Sequence, residues 1–381
     1  MKRHGNLFEI ICDRDNLRHS LKQACKPNGR TSPAKKRAVA RAKADPELYV
    51  DKVLKILQAG HKTGEYARFA LFDPKLRFIY SLPFFPDRVV HHALLTVLEP
   101  IWDSLMMHTS YACRKGKGQH EAGKACTNLT RRFKYVAQFD VAQFYVSINH
   151  EILKGVIRRK IKDQKVLAIL DEIIDSISTR DENLKILYKM REKGSPNPDV
   201  EREIKKLESS RERDNHAPAG LPIGSYTSQW FGNLYMNELD EYLKHQLKCR
   251  NVIRYCDDFL VFSNDKQFLH DVREKVKVFM WDRLHMMLSK AEVFPTSQGV
   301  DFCGYRYFPK GFVLLRKRTA KRQKKQMNKI RKGLANNALP RESARSKIAS
   351  MDGWLRWANC HNWKKQHGFY ELKKEFTDGN I

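Results

Sequence analysis

The run Val252-Ile253-Arg254-Tyr255-Cys256-Asp257-Asp258-Phe259-Leu260-Val261-Phe262 decides how the rest of the chain is read. Two apolar stretches of β character flank a pair of adjacent carboxylates, which predicts a hairpin with the acids at its turn. Such a pair repels itself unless cations sit on it. With no base immediately beside them, the two acids make a hard oxygen site of the kind that takes Mg²⁺. An ordinary Asp-Asp turn is the bland alternative, since Asp is a common turn residue.

A second acid favours the metal reading. Asp140 ends the run Tyr135-Val136-Ala137-Gln138-Phe139, so an apolar strand delivers a carboxylate to its C-terminal edge. A neighbouring hairpin can bring Asp257 and Asp258 beside it. Three carboxylates suffice to hold two divalent ions roughly 3.5 to 4 Å apart, one activating an attacking hydroxyl and the other steadying a leaving phosphate oxygen. That is nucleotidyl-transfer chemistry.

A third segment, Gly220-Leu221-Pro222-Ile223-Gly224-Ser225-Tyr226-Thr227-Ser228-Gln229-Trp230, lies between the two acid sites. The succession FDVAQFY, GLPIGSYTSQ, YCDD, LSKAEVF and VDFCGYRY resembles the palm of a reverse transcriptase of the bacterial branch, and the resemblance runs from Arg68 to Tyr307. It implies an α+β right-hand polymerase with fingers, a palm whose antiparallel sheet carries helices on one face, and a helical thumb. Strands alternating with helices agree with that class. The expected division is a basic helical N-terminal extension over 1–60, fingers over 61–135, a palm over 136–310 with a charged insert at 180–217, and a basic helical thumb over 311–381.

Composition points the same way. The chain has 381 residues, with 72 Lys and Arg against 43 Asp and Glu and a formal net charge of +29. Such an excess implies a polyanionic partner, because binding nucleic acid offsets the self-repulsion of the protein. No long apolar run or signal peptide supports a membrane role, so a cytoplasmic protein is expected. Eight cysteines show no C-x-x-C pair and no histidine at ligand spacing, and they read as reduced thiols.

The remaining segments read as follows. Residues 6–24 carry a loosely helical pattern. The stretch Lys26 to Lys43 is basic and is either a solvated linker or a grip on RNA backbone. Tyr66 to Tyr80 reads as strand, turn, strand, broken at Asp73-Pro74. His91 and His92 follow each other on an apolar-faced helix, point about 100° apart, and are expected to pack rather than share a metal. Between Arg180 and Pro218 the charged insert can form two helices and is expected as a protruding arm. The helix from Ser228 onward buries Trp230, Phe231 and Leu234, and another repeats Phe268, Val272, Val276, Met280 and Leu284. From Arg316 to Lys332 the chain holds ten lysines and arginines and no acid.

The resemblance implies roles residue by residue. Asp140, Asp257 and Asp258 bind two Mg²⁺ ions, for which Mn²⁺ can substitute, with the Val141 carbonyl as a further ligand. Lys75 and Arg77 hold the triphosphate of the deoxynucleotide, Arg77 through its bidentate fork. Tyr145 is the sugar gate whose ring rejects a 2′-hydroxyl. Gly224 allows close backbone approach to the nascent pair, with Gln229 also at the nucleotide site. Lys290 donates a proton to departing pyrophosphate. Phe302, Cys303, Gly304 and Tyr305 form the primer grip. Arg114, Lys115 and Lys117 meet template phosphates, and Arg316, Lys317, Arg318, Lys321, Arg322, Lys324 and Lys325 line a thumb helix along the product duplex.

Ile223 and Gln229 depart from the retroviral pattern, which has glutamine and proline there. Both departures occur in diversity-generating and some defence-associated enzymes. There is no recognisable maturase extension, endonuclease cluster or RNase H set, which argues against a mobile group II intron protein. The resemblance therefore favours a defence-associated enzyme that copies a noncoding RNA template into a cDNA product, with self-association or a small accessory protein as further partners. A diversity-generating reverse transcriptase is the second expectation. An inactive RNA-binding scaffold is the third, and the intact acid set opposes it.

Overall fold

The computed structural model describes residues 3–27, 32–72, 76–194 and 197–377. Within them the strands are β1 (Ala67–Phe72), β2 (Leu76–Ser81), β3 (Tyr135–Val141), β4 (Val252–Tyr255), β5 (Asp258–Ser263), β6 (Leu288–Pro295), β7 (Val300–Phe302), β8 (Tyr305–Tyr307) and β9 (Val313–Leu315). They form a two-stranded sheet β1-β2, a four-stranded sheet in the order β4-β5-β3-β6, and a three-stranded sheet β7-β8-β9. With the helices between them, the class is α+β, as expected.

The chain divides into two compact units. One gathers Met1–His108, Val141–Lys248 and Lys275–Ser289, and the other Thr109–Asp140, Cys249–Glu274 and Lys290–Ile381.

In the first unit the expected helix over 6–24 is two helices, Leu7–Ile11 and Arg14–Ala24. The break falls at Asp13, whose carboxylate accepts from the amides of Asp15 and Asn16 and so starts the second helix. The Tyr226–Glu241 helix is buried along most of its length, and Trp230 and Phe231 pack on Trp102. His91 is buried with Nδ1 within 3.2 Å of the Ser225 hydroxyl, and His92 lies 4.9 Å from the Tyr226 ring, which makes both packing groups.

The charged insert is not a protruding arm. Its helices, Thr179–Glu192 and Asp199–Arg213, bury Leu184, Leu187, Val200, Ile204 and Leu207 in one cluster with Phe78 and Tyr80 of β2. Arg180 is fully buried and donates to Asp214 at 2.6 Å, to the Ser210 carbonyl at 3.1 Å and to the Ala217 carbonyl. A buried charge is tolerated only when paired and hydrogen-bonded in this way. The apolar residues that seat the insert are few and widely spaced among charged ones, which is why the segment reads as exposed.

In the second unit, β3 and β5 pair antiparallel from Tyr135 opposite Ser263 to Asp140 opposite Asp258. Side chains alternate between faces. Val136, Leu260 and Phe262 therefore share one face, and they pack with Ala122 and Cys126 of the Gln119–Arg132 helix and with Phe302, Tyr305 and Tyr307. Phe139 and Phe259 point the other way, stacked with centroids 4.6 Å apart. The Lys317–Ala335 helix turns Met327 and Ile330 into a core with Ile348, Met351, Leu355 and Phe369 of the helices that follow. On the Lys266–Leu284 helix, whose residues from Lys275 onward belong to the first unit, the repeat holds from Val272 onward. Leu269 is buried at its start, where Phe268 is only half-buried.

Candidate polymerase centre

The acidic edge is built by strand register. Asp140 is the cross-strand partner of Asp258, and Tyr255 is the partner of Asp258 on the other side, so Cys256 and Asp257 form the two-residue turn of the β4-β5 hairpin. Cys256 has a positive φ of 55°. A non-glycine residue in the left-handed region is strained, and surrounding bonds must hold it there. Arg254 supplies one: this fully buried guanidinium donates to the Cys256 carbonyl at 3.0 Å and to the Ser110 hydroxyl at 2.9 Å. Its backbone is fixed to Thr109 and Tyr111.

Burial, with Asp140 and then Asp257 adding like charge, pushes the Asp258 carboxyl up to about 7, against weaker opposing effects of Arg316 and the nearby Gln138 amide. Asp258 Oδ1 is buried without a hydrogen-bond partner. A buried carboxylate oxygen with no donor is what a hard cation would satisfy, so this residue fits a divalent-ion ligand. The expected cage of three carboxylates is not assembled, however. Among the described residues no three His, Cys, Asp or Glu side chains converge to hold a metal ion. The Val141 residue is buried at the end of β3.

Lys290 is half-buried, donates to Gln138 Oε1 at 2.9 Å and lies 3.2 Å from Glu292. It is thus held by protein partners rather than standing clear as a proton donor. Phe302 and Tyr305 are buried cross-strand partners, and Cys303 and Gly304 between them both have positive φ, the conformation of a tight hairpin turn. Tyr305 donates to the Trp354 carbonyl at 2.9 Å, and a Cβ on Gly304 would lie 2.9 Å from the Trp354 ring. Arg114 donates back to the Ser110 carbonyl at 3.0 Å, Lys117 lies 4.7 Å over the Tyr111 ring, and Lys115 is exposed. Arg316, Lys317, Arg318, Lys321, Arg322, Lys324 and Lys325 are all exposed, while Thr319, Gln323, Met327 and Ile330 make the buried face of the same helix.

The other expected nucleotide-site residues belong to the first unit. Arg77 is exposed on β2, opposite Leu71, and Lys75 lies outside the described residues. Tyr145 sits in a short turn, Phe144–Ser147, with its carbonyl accepting from the Leu221 amide at 2.8 Å. Gln229 is exposed on its helix. Gly224 has φ 115°, and a Cβ there would meet the Tyr80 carbonyl at 2.7 Å, so the fold itself demands glycine. Sequence reasoning missed Arg254 and Gln138. Both are polar residues inside apolar strands, which is the signal that could have found them.

Residues 62–307 match the family described as reverse transcriptase (RNA-dependent DNA polymerase). The chain belongs to that family, and its enzyme class is RNA-directed DNA polymerase. Among known proteins it is similar to Protein YkfC of Escherichia coli (strain K12), at 23% identity over 72% of this chain and 70% of that protein. It is also similar to the group II intron-encoded protein LtrA of Lactococcus lactis subsp. cremoris, at 21% identity over 65% of this chain and 47% of the relative, so it spans about half of that protein's length. A shorter match, 26% over 23% of this chain, is to the mitochondrial nuclear intron maturase 1 of Arabidopsis thaliana. Reverse transcriptases use RNA templates and deoxynucleoside triphosphates, and generally divalent metals such as Mg²⁺. No helix among the described residues is long and apolar enough to cross a membrane.

Proposed function

We propose that this chain copies a dedicated noncoding RNA into cDNA in antiphage defence, with Asp140, Asp257 and Asp258 as its catalytic carboxylates. The observation that carries the catalytic part is the register that sets Asp140 opposite Asp258 with Asp257 in the adjoining turn. Bound divalent ions would supply Lewis acidity to the attacking hydroxyl and the leaving oxygen. The protein's own part is to hold three acids on one sheet edge, to grip the primer strand with the Phe302 to Tyr305 hairpin, and to follow the duplex phosphates with the exposed face of the Lys317–Ala335 helix. Tyr145 excludes ribonucleotides by its ring, and Arg77 holds the triphosphate.

The defence assignment is supported by the motif resemblance alone. Similarity to an intron-encoded protein favours a second reading, in which the RNA copied is a structured, intron-like one. Sequencing the nucleic acid that co-purifies with the protein separates the two: a single short noncoding RNA with complementary DNA supports the first, and intron-derived RNA supports the second. In primer extension, Tyr145→Ala is expected to admit ribonucleotides; unchanged discrimination removes Tyr145 from the gate.

A further inference from the structure

The segment Thr130-Arg131-Arg132-Phe133-Lys134-Tyr135 joins the Gln119–Arg132 helix to β3 and interleaves basic with aromatic residues. Within the second unit it lines an open cleft of about 510 Å³, together with Asn264, Thr296 and Pro309 among others. The lining holds three cations, two aromatic rings and no acid. Arg131, Arg132 and Lys134 are exposed, and among the described residues no carboxylate pairs with any of them. Arg14, Arg18 and Arg158, also at the surface, each close an ion pair. A helix C-terminus attracts cations, which accounts for Arg131 and Arg132 but not for Lys134 or the lack of acids. The backbone here is already held by the protein. Buried Thr296 donates its hydroxyl to the Phe133 carbonyl at 2.7 Å and its amide to the Lys134 carbonyl at 2.9 Å, and the Lys134 amide donates to Asn264 Oδ1 at 2.9 Å. Pro309 belongs to the β8-β9 turn, which adjoins the cleft: a Cβ on Gly311 would lie 3.6 Å from Arg131 Cδ. On that turn Phe308 and Phe312 stack with centroids 4.6 Å apart, and the Arg306 guanidinium lies 5.9 Å from the Phe308 ring. Phe312 is the outer member of the stack, 38% exposed, and Lys310 beside it is exposed.

We propose that this cleft and the Phe312 ring form a binding site for unpaired RNA, separate from the polymerase centre, which holds a stretch of the copied RNA outside the primer–template duplex. The inference rests on the reading of this chain as an enzyme that copies RNA. The β3-β5 register sets Tyr135 opposite Ser263 at one end and Asp140 opposite Asp258 at the other, so the cleft lies five residues of strand from the acids. At the usual rise that is about 17 Å. Three unpaired cations suit an anion whose charges repeat along a chain, as those of a phosphodiester do. An open aromatic face beside them takes a base by stacking, whatever the sequence. A duplex keeps its base faces stacked on one another and has none to offer Phe312. The cleft also falls within the size range of small-ligand sites, about 300–1,000 Å³, which suits single nucleotides of a strand rather than a double helix.

The test uses the full chain and a DNA primer annealed to an RNA template just long enough to be extended, with or without a single-stranded oligouridylate tail on either end of the RNA. Affinity is read by fluorescence anisotropy across a salt titration, and primer extension is read on the untailed hybrid. Two variants are compared with the wild type: the combination Arg131→Gln, Arg132→Gln and Lys134→Gln, and the single change Phe312→Ala. The wild type should bind a tailed hybrid more tightly than the untailed one. The triple variant should weaken binding of the tailed hybrid by about tenfold or more and flatten its dependence on log salt by about two units, the amount for three phosphates of a single strand. Phe312→Ala should weaken the same binding by about fivefold or more, as loss of one stacked base does, with the slope unchanged. Affinity and kcat on the untailed hybrid should stay close to those of the wild type in both variants. A tail that adds nothing in the wild type overturns the proposal, and so does a tail that adds as much in either variant as in the wild type. Equal losses on tailed and untailed hybrids also overturn it, because the residues then serve the duplex. A wild type that favours the tail but extends no primer contradicts the reading as a copying enzyme instead, and the affinity comparison still decides the site.

Discussion

Asp258 lies in conflict with its surroundings, buried and within the influence of the negative charges of Asp140 and Asp257, and its proton affinity is raised to about 7. The folded-state value lies above the unfolded one, near 3.8. The stability gained from holding the proton is therefore full below about pH 4 and is lost as pH rises through about 7. Asp258→Asn, which cannot ionise, is expected to melt at the same temperature as the wild type near pH 4 and several degrees higher at pH 8. A melting difference that does not grow with pH contradicts this assignment. Cys256 carries the adjoining strain. Cys256→Val places a β-branched side chain at φ 55°, where such residues are genuine outliers. It should lower both melting temperature and polymerisation rate, whereas Cys256→Gly should keep the fold, since glycine takes that conformation without steric cost. Equal behaviour of the two variants would show that the turn does not need the left-handed backbone.

At the scale of elements, the helical pair Thr179–Glu192 and Asp199–Arg213 is closed by Arg180 and Asp214, both with side chains fully buried. Asp214→Ala leaves a guanidinium buried without its counter-charge and is expected to cost about 3–5 kcal/mol, read by chemical denaturation. A loss under about 1 kcal/mol would mean that water reaches Arg180. The Lys317–Ala335 helix makes the opposite kind of prediction, because its cations are exposed. Replacing Lys321, Lys324 and Lys325 with Gln should weaken RNA binding and flatten its dependence on log salt, by close to one unit of slope for each phosphate that is no longer neutralised. An unchanged slope removes this helix from the interface. These elements also show what a sequence displays and what it hides. The hairpin around Cys256-Asp257 was legible because an apolar run, a turn and a second apolar run occupy consecutive residues. So was the basic helix, whose buried residues recur every three or four positions. The seating of the insert was not, because Arg180 and Asp214 stand 34 residues apart and nothing local marks them as partners. The same holds for Gln138, whose hydrogen bond to Asp301 spans 163 residues.

For the molecule as a whole, the excess of 72 basic over 43 acidic residues sets the terms of function. A protein of net charge +29 repels itself and attracts polyanions, so its association with RNA should be fast at low salt and fall steeply as salt rises. Charge alone favours only a polyanionic partner, and the acid set is what distinguishes a polymerase from a scaffold. Its residue identities were legible from three short motifs. Its geometry was not, because cross-strand register is decided by pairing between segments more than a hundred residues apart. The most direct measurement is RNA-templated primer extension with Mg²⁺ and deoxynucleotides, comparing wild type with Asp258→Asn at equal RNA occupancy. The wild type should synthesise DNA, and the variant should bind RNA equally while slowing by about a thousandfold or more, equivalent to several kcal/mol of transition-state stabilisation. A wild type that makes no DNA, or a variant that makes it as fast, would contradict the account.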